Sequence, residues 1–337
     1  MLFRSAREGL QECRSEGPKE VSGVPHADDE LHAPTSADPF WTETCWFTFS
    51  VPELRLSGQL YPFFRRNQNV AAGGAYFWDE RGDQLWNCVY AKNFWHLPLA
   101  LDAKLSDLAL PNGMRVRCLE PLAKYALGYD DPDGGDEIHV DLTFTAVAKP
   151  NYLGHGHLDQ PGRYQGTLVL RGETIRVDSF GFRDRSWGVR SQFGPGLAGT
   201  PAKCGGYSYA TASERDAFHT ITLDFGKGCH SIHGYLLRDG VWAKLASGRR
   251  KVAARDAASG YPLRVEITGV DELGRELRAE GRCLNKLGLH LNPNLFTVNC
   301  LTEWRWGGIA AYGEDHDNWS APAARAFFRE QRGYAPR

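Results

Sequence analysis

The sequence lacks the short signatures of nucleotide, zincin and serine-hydrolase chemistry. It has no GxGxxG after a strand-like run, no GxxxxGKS/T, no HExxH and no GxSxG. That leaves no marker for a dinucleotide fold, a P-loop, a zincin helix or a nucleophile elbow. No apolar run approaches the roughly 20 residues of a spanning helix, and residues 1–20 are polar, without the apolar stretch of a secretory leader. None of the 8 cysteines falls in a CxxC pair; such dispersed thiols are expected to be free, in a cytoplasmic protein. The formal net charge is −2, so the basic surplus that nucleic acid or an anionic membrane demands is missing. Methionine is scarce at 2 residues, whereas tryptophan reaches 10 and aromatics 12 %. That balance favours an all-β protein or an apolar-ligand binder over a helical one.

What is present is strand-like. Residues 1–37 carry no apolar periodicity and read as a disordered N-terminal extension. From residue 38 onward, β-rich runs recur every 8–12 residues between Asp/Gly turns, the spacing of a sandwich or barrel. Ile138–Phe144 alternates apolar and polar residues strictly, as a half-buried antiparallel strand does. Asn299–Tyr312 reads as one long final strand. The pattern exceeds one small barrel, so two β-domains are expected, at 38–186 and 207–320, with a linker at 187–206. Residues 321–337 form the single convincing helix and tail, with Ser320 placed as its N-cap.

Two clusters carry candidate chemistry. In Val177–Arg190, Asp184 lies between Arg183 and Arg185, beside Trp187. Burial unpaired is costly for such a carboxylate. Either it clamps a domain junction, or it faces a dry cavity where desolvation against Arg pairing tunes it as an acid. In Thr302–Trp306, strand alternation puts Trp304 and Trp306 on one face and Glu303 and Arg305 on the other. The tryptophans line a cavity as a π wall or fill a core, and Tyr207 carries the same ambiguity. His219 and His233, on neighbouring expected strands, could point into one interior, but satisfied core histidines are the reading preferred. His155 and His157, with Asp159 close by, could contribute to a metal site, but a hydrogen-bonded His loop is the reading preferred. No metal and no cofactor is expected.

Gly181-Phe182-Arg183-Asp184-Arg185-Ser186-Trp187-Gly188-Val189-Arg190 resembles the G-x-R-D-H/R-S-W-G-x-R signature of the AttH and carotenoid hydratase (hydroxyneurosporene synthase) superfamily. His157-Leu158-Asp159-Gln160, with Gly162, Arg163 and Gly166, looks like the stretch that precedes it. The resemblance covers roughly residues 40–320 and departs from the pattern at Arg185, where His is frequent. It implies two lipocalin-like antiparallel β-domains with a ligand cavity, and hydration or cyclisation of isoprenoid-like substrates without redox cofactors. The expectation is therefore a hydratase, dehydratase or cyclase acting by acid catalysis on a hydrophobic terpenoid-, steroid- or polyketide-like molecule in a β-barrel cavity. Asp184 is the first choice of acid, with Glu303, His219 and His233 behind it. Arg183 and Arg185 orient it, and Trp187, Tyr207, Trp304 and Trp306 form the substrate wall. The competing expectation is a non-catalytic carrier of an apolar ligand.

Overall fold

The computed structural model describes residues 26–131, 133–134, 138–190, 195–197, 200–292 and 294–334. The first half is one curled antiparallel sheet. Its strands are β1 (Trp41–Val51), β2 (Leu56–Arg65), β3 (Val70–Trp78), β4 (Tyr90–Pro98), β5 (Asp107–Ala109), β6 (Met114–Glu120), β7 (Lys124–Asp130), β8 (Ile138–Ala146), β9 (Asn151–Tyr152), β10 (His157–Leu170) and β11 (Glu173–Val189). They run in the order β4-β3-β2-β1-β11-β10-β8-β7-β6-β5, with β9 on β10. A short pair, β12 (Gly196–Leu197) and β13 (Thr200–Pro201), follows. The second half comprises β14 (Cys204–Thr211), β15 (Ala217–Asp224), β16 (Cys229–Arg238), β17 (Val241–Arg255), β18 (Pro262–Asp271), β19 (Glu276–Cys283), β20 (Leu287–Asn292), β21 (Leu295–Trp306) and β22 (Ile309–Ser320). Pairing of β19 with β21 closes eight of these strands into a barrel. Helix α1 (Ala321–Gln331) follows β22.

The elements form where the side-chain pattern asks for them. β8 and β19 alternate buried and solvent-facing residues, as one-sided strands do. β1 is buried along its whole length. Cys45, Phe47 and Phe49 enter the core of the curled sheet, while Trp46 packs against the second half. The barrel axis is filled by Phe218, Trp304, Trp306, Val265, Ile267 and Leu277, with Phe218 edge-on to both tryptophans at 5.2 Å. A packed core, not a ligand chamber, therefore occupies the barrel.

Two expectations need correction, and a third holds in position alone. The chain reverses inside the expected strand Asn299–Tyr312, because Gly307 and Gly308 adopt φ of 55° and 82° and make a two-residue hairpin turn between β21 and β22. The extension expected over residues 1–37 lies outside the described residues up to 25, but from 26 onward the chain is fixed to the curled sheet. Buried Asp29 accepts from the Leu122 amide at 2.8 Å, from Tyr125 and from Arg183 at 3.1 Å. These acceptor demands were invisible in a polar stretch read alone. Ser320 occupies the N-cap position of α1, but its side chain makes no capping hydrogen bond.

Near α1, buried Arg250 bonds Asp315 at 2.6 and 2.9 Å and Asp317 at 3.1 Å. Burial raises the Asp317 carboxyl, but Arg250 and Arg255 outweigh it and hold the group below the ordinary carboxylate range. Arg250→Met leaves buried Asp315 without a cation and Asp317 with Arg255 alone, so denaturant titration should show a loss of about 3–5 kcal/mol. A carboxyl depressed in the fold contributes stability above its unfolded value of ~3.9 and loses it as pH falls through the folded value. The gap between wild type and variant should therefore narrow on acidification below about pH 4; a gap that widens contradicts the assignment.

Candidate active site

Strand alternation builds the site. β10 and β11 pair with His157 opposite Ser186 and Asp159 opposite Asp184. Directly opposed residues share a face, so these four form a square grid facing the barrel. Gln160 and Arg183 are the opposed pair on the other face. The barrel answers with its own outward rows: Tyr207 pairs with Ile221 and with His316, and Tyr209 with His219 and with Glu314. Trp46, Phe182, Tyr209 and Tyr235 pack the two halves together. Beside this cluster lies a cavity of about 470 Å3, within the usual range of ligand sites. Trp46, Tyr61, His157, Asp184, Trp187, Tyr207 and His316 line it, with amides from Gln59, Asn292, Asn299 and Asn318.

Asp184 sits in this wall 3.5 Å from His157 Nδ1, which also meets the Ser186 hydroxyl at 2.8 Å. Burial pushes the Asp184 carboxyl up to about 6; neighbouring Asp159 adds to the rise, and His157 and Arg190 oppose it. The other nitrogen of His157, Nε2, lies 2.9 Å from Asp159 Oδ2. Burial disfavours the imidazolium, but the two carboxylates outweigh it and raise His157 above the ordinary value. Asp159 is fully enclosed. Burial raises its carboxyl, yet His157 and His219, with hydrogen bonds from His157 and His233, hold it well below the usual range. Its Oδ1 accepts from the Tyr207 hydroxyl. Desolvation drives His219 down to about 3.

A second device comes from β22. Buried Glu314 accepts from Thr48, from Gln59 Nε2 at 3.1 Å and from His316 Nε2 at 2.7 Å. With Nε2–H committed to Glu314, Nδ1 of His316 is left as a base, and among the described residues it has no hydrogen-bond partner. The His316 ring stacks on Tyr207 at 5.8 Å and meets Trp46 edge-on at 5.1 Å.

The residues singled out in the sequence divide accordingly. Asp184 and Tyr207 reach the cavity, whereas Trp187 borders it with its ring stacked on His32 at 4.1 Å, on the Arg185 side of the strand. His219 and His233 stand behind its wall, 3.5 and 3.0 Å from Asp159. Arg183 and Arg185 do not orient Asp184, because neighbouring strand residues point to opposite faces. Arg183 bonds Gln160 and Asp29 over the Tyr125 ring, and Arg185 bonds Glu43 at 2.9 Å and the Glu30 carbonyl at 3.1 Å. Trp304 and Trp306 fill the barrel core and Glu303 faces outward to Arg282 and Arg305, so none of the three lines the cavity. His157, Asp159, Glu314 and His316 were not among the chosen site residues. Their signal was an i, i+2 pair of ionisable residues within a strand, H-x-D and E-x-H, which alternation puts on one face.

Among the described residues no helix is long and apolar enough to cross a membrane. The fold is similar to that of solved structures at low sequence identity. A protein of Nitrosomonas europaea described as an AttH matches with a TM-score of 0.60 and 12 % identity, over 91 % of this chain and 99 % of that one. Kievitone hydratase from Nectria haematococca matches at 0.52 and 10 %, over 89 % and 94 %. CghA matches at 0.53 and 13 %, over 91 % and 95 %. The lipocalin-like, AttH-type architecture expected from the Gly181–Arg190 motif is thus the architecture found. No curated protein matches the chain. Residues 25–320 match the family described as a domain of unknown function, DUF7064, and the chain belongs to that family.

Proposed function

We propose that the protein is a cofactor-independent lyase or isomerase, a hydratase, dehydratase or cyclase, acting in the cavity between the two halves. The observation that carries this reading is a desolvated Asp184 carboxyl in one wall and the free Nδ1 of a Glu314-held His316 in the other. One of the similar structures is a hydratase by name. In the hydration direction, protonated Asp184 gives its proton to one carbon of a C=C bond. The cation left on the other carbon is sheltered by the π faces of Trp46 and Tyr207. A water oxygen bonds that carbon, and its surplus proton passes to His316 Nδ1. Solvent then returns a proton from His316 to Asp184. In cyclisation an internal alkene or hydroxyl replaces the water. The substrate is an amphipathic molecule of terpenoid, steroid or polyketide type: its apolar body meets the aromatic wall and its polar groups the amides.

The test is turnover of a panel of isoprenoid alkenes and their alcohols in 18O-labelled water, followed by mass spectrometry. Asp184→Asn should cut kcat by about 10²–10⁴-fold while leaving the melting temperature and ligand affinity near wild type. His316→Gln should lower kcat by at least about tenfold with KM little changed, because the base acts only in the transition state. Tight binding of apolar ligands by wild type without any turnover would establish a carrier instead.

A further inference from the structure

Asp159 gathers more imidazole nitrogen than hydrogen bonding uses. His157 Nε2, His233 Nε2 and His219 Nδ1 lie 2.9, 3.0 and 3.5 Å from the same oxygen, Oδ2. Ligand atoms around tetrahedral zinc stand about 3.3 Å apart, given bond lengths of about 2.0–2.2 Å. The coordinating atoms of His157, Asp159 and His233 all lie within 4.8 Å of one another.

Two further observations point to an absent partner. His219 is fully buried, yet neither ring nitrogen makes a hydrogen bond. Such a group costs free energy unless something else satisfies it. His233 Nε2 lies between the Asn151 amide nitrogen, at 3.1 Å, and the Asp159 carboxylate. Nε2 carries a single hydrogen or a single lone pair, so it cannot accept from the amide and donate to the carboxylate at once. A cation that takes the lone pair removes that conflict once the amide is turned over. The buried Asn151 Oδ1, also without a partner, would face the same place with the amide turned over.

We propose that His157, Asp159 and His233 hold a divalent transition-metal ion of the zinc class, with His219 completing the set. Imidazole and carboxylate donors of this number suit zinc, and fit cobalt as its spectroscopic substitute. His157 and Asp159 come from β10, His219 from β15 and His233 from β16. The ion would therefore cross-link the curled sheet to the barrel. Metal on His157 Nε2 puts the ring hydrogen on Nδ1, where the Ser186 hydroxyl and the Asp184 carboxylate wait to accept it. That outer hydrogen bond is the usual support of a metal-bound histidine. The expectation of a metal-free protein, drawn from the sequence, is revised by this proposal.

The experiment uses the full chain, made without an affinity tag that binds metal, stripped with a chelator and reloaded. Elemental analysis should give roughly one zinc per chain, and zinc should raise the melting temperature of the stripped protein. Cobalt loading should produce the visible d–d bands of a tetrahedral nitrogen/oxygen site in wild type, a readout that needs no variant and no substrate. Asp159→Asn and His233→Gln should each weaken zinc binding by at least about tenfold, while His290→Gln, at an exposed position, should not. Absence of the cobalt bands and of the zinc-induced shift in wild type overturns the site and leaves a hydrogen-bonded network. Full-strength binding retained in both ligand variants overturns it equally.

Discussion

Strand β1 along its length, and β11 from Gly181 to Ser186, are enclosed on both faces, and most of the structure answers to that. A strand with a wet face leaves its charges in water; a doubly buried strand must pair them on each side. On one side of β11, Arg183 and Arg185 meet Asp29 and Glu43 from the first half. On the other, Phe182, Asp184 and Ser186 face the barrel. This is why the segment after residue 25 is tied down: without Asp29, Arg183 would be a buried cation with no carboxylate partner. It is also why Asp184 is desolvated, since its face is the one the second half covers.

The interface is held at two places. Trp46, Phe182, Tyr209 and Tyr235 form one aromatic contact; Tyr76, Trp78, Leu287 and Leu289 form the other, where Asn285 takes the Trp78 indole N–H at 2.9 Å. The cavity borders both, sharing Trp46 and Tyr207 with the first and Leu291 with the edge of the second. Because the barrel axis is filled by Phe218, Trp304 and Trp306, the cavity of the candidate site lies where the two outer faces fail to meet. The site is therefore composite: the curled sheet supplies Asp184 and His157, and the barrel supplies Tyr207 and His316.

Much of this was legible in the residues. Alternation in Ile138–Phe144 and the spacing of Asp/Gly turns gave strands their place. The Gly181–Arg190 motif gave the architecture, and Asp184 emerged from it as the residue most costly to bury. Alternation also separated Trp304 and Trp306 from Glu303 and Arg305, as the structure does. The same rule, applied to Arg183-Asp184-Arg185, separates Asp184 from both arginines; adjacency in sequence had suggested a cluster that a strand cannot form. H-x-D at 157–159 and E-x-H at 314–316 were readable as same-face pairs, but nothing local marks which face will be dry.

The sequence alone determined that the chain is β but for a C-terminal helix, that its halves are two antiparallel sheets of lipocalin-like kind, and that an aspartate in an arginine-rich strand is central. The strand content follows from period-two patterning and turn chemistry, which are local properties of the chain; the lipocalin-like kind is what the resemblance of the Gly181–Arg190 motif implied. Only the tertiary structure decided which face of each strand is wet, which carboxylate each arginine neutralises, and that Asp159 draws three histidines from two halves of the molecule. Desolvation and charge pairing depend on what is brought opposite a residue, and here the partners come from segments tens to more than a hundred residues away.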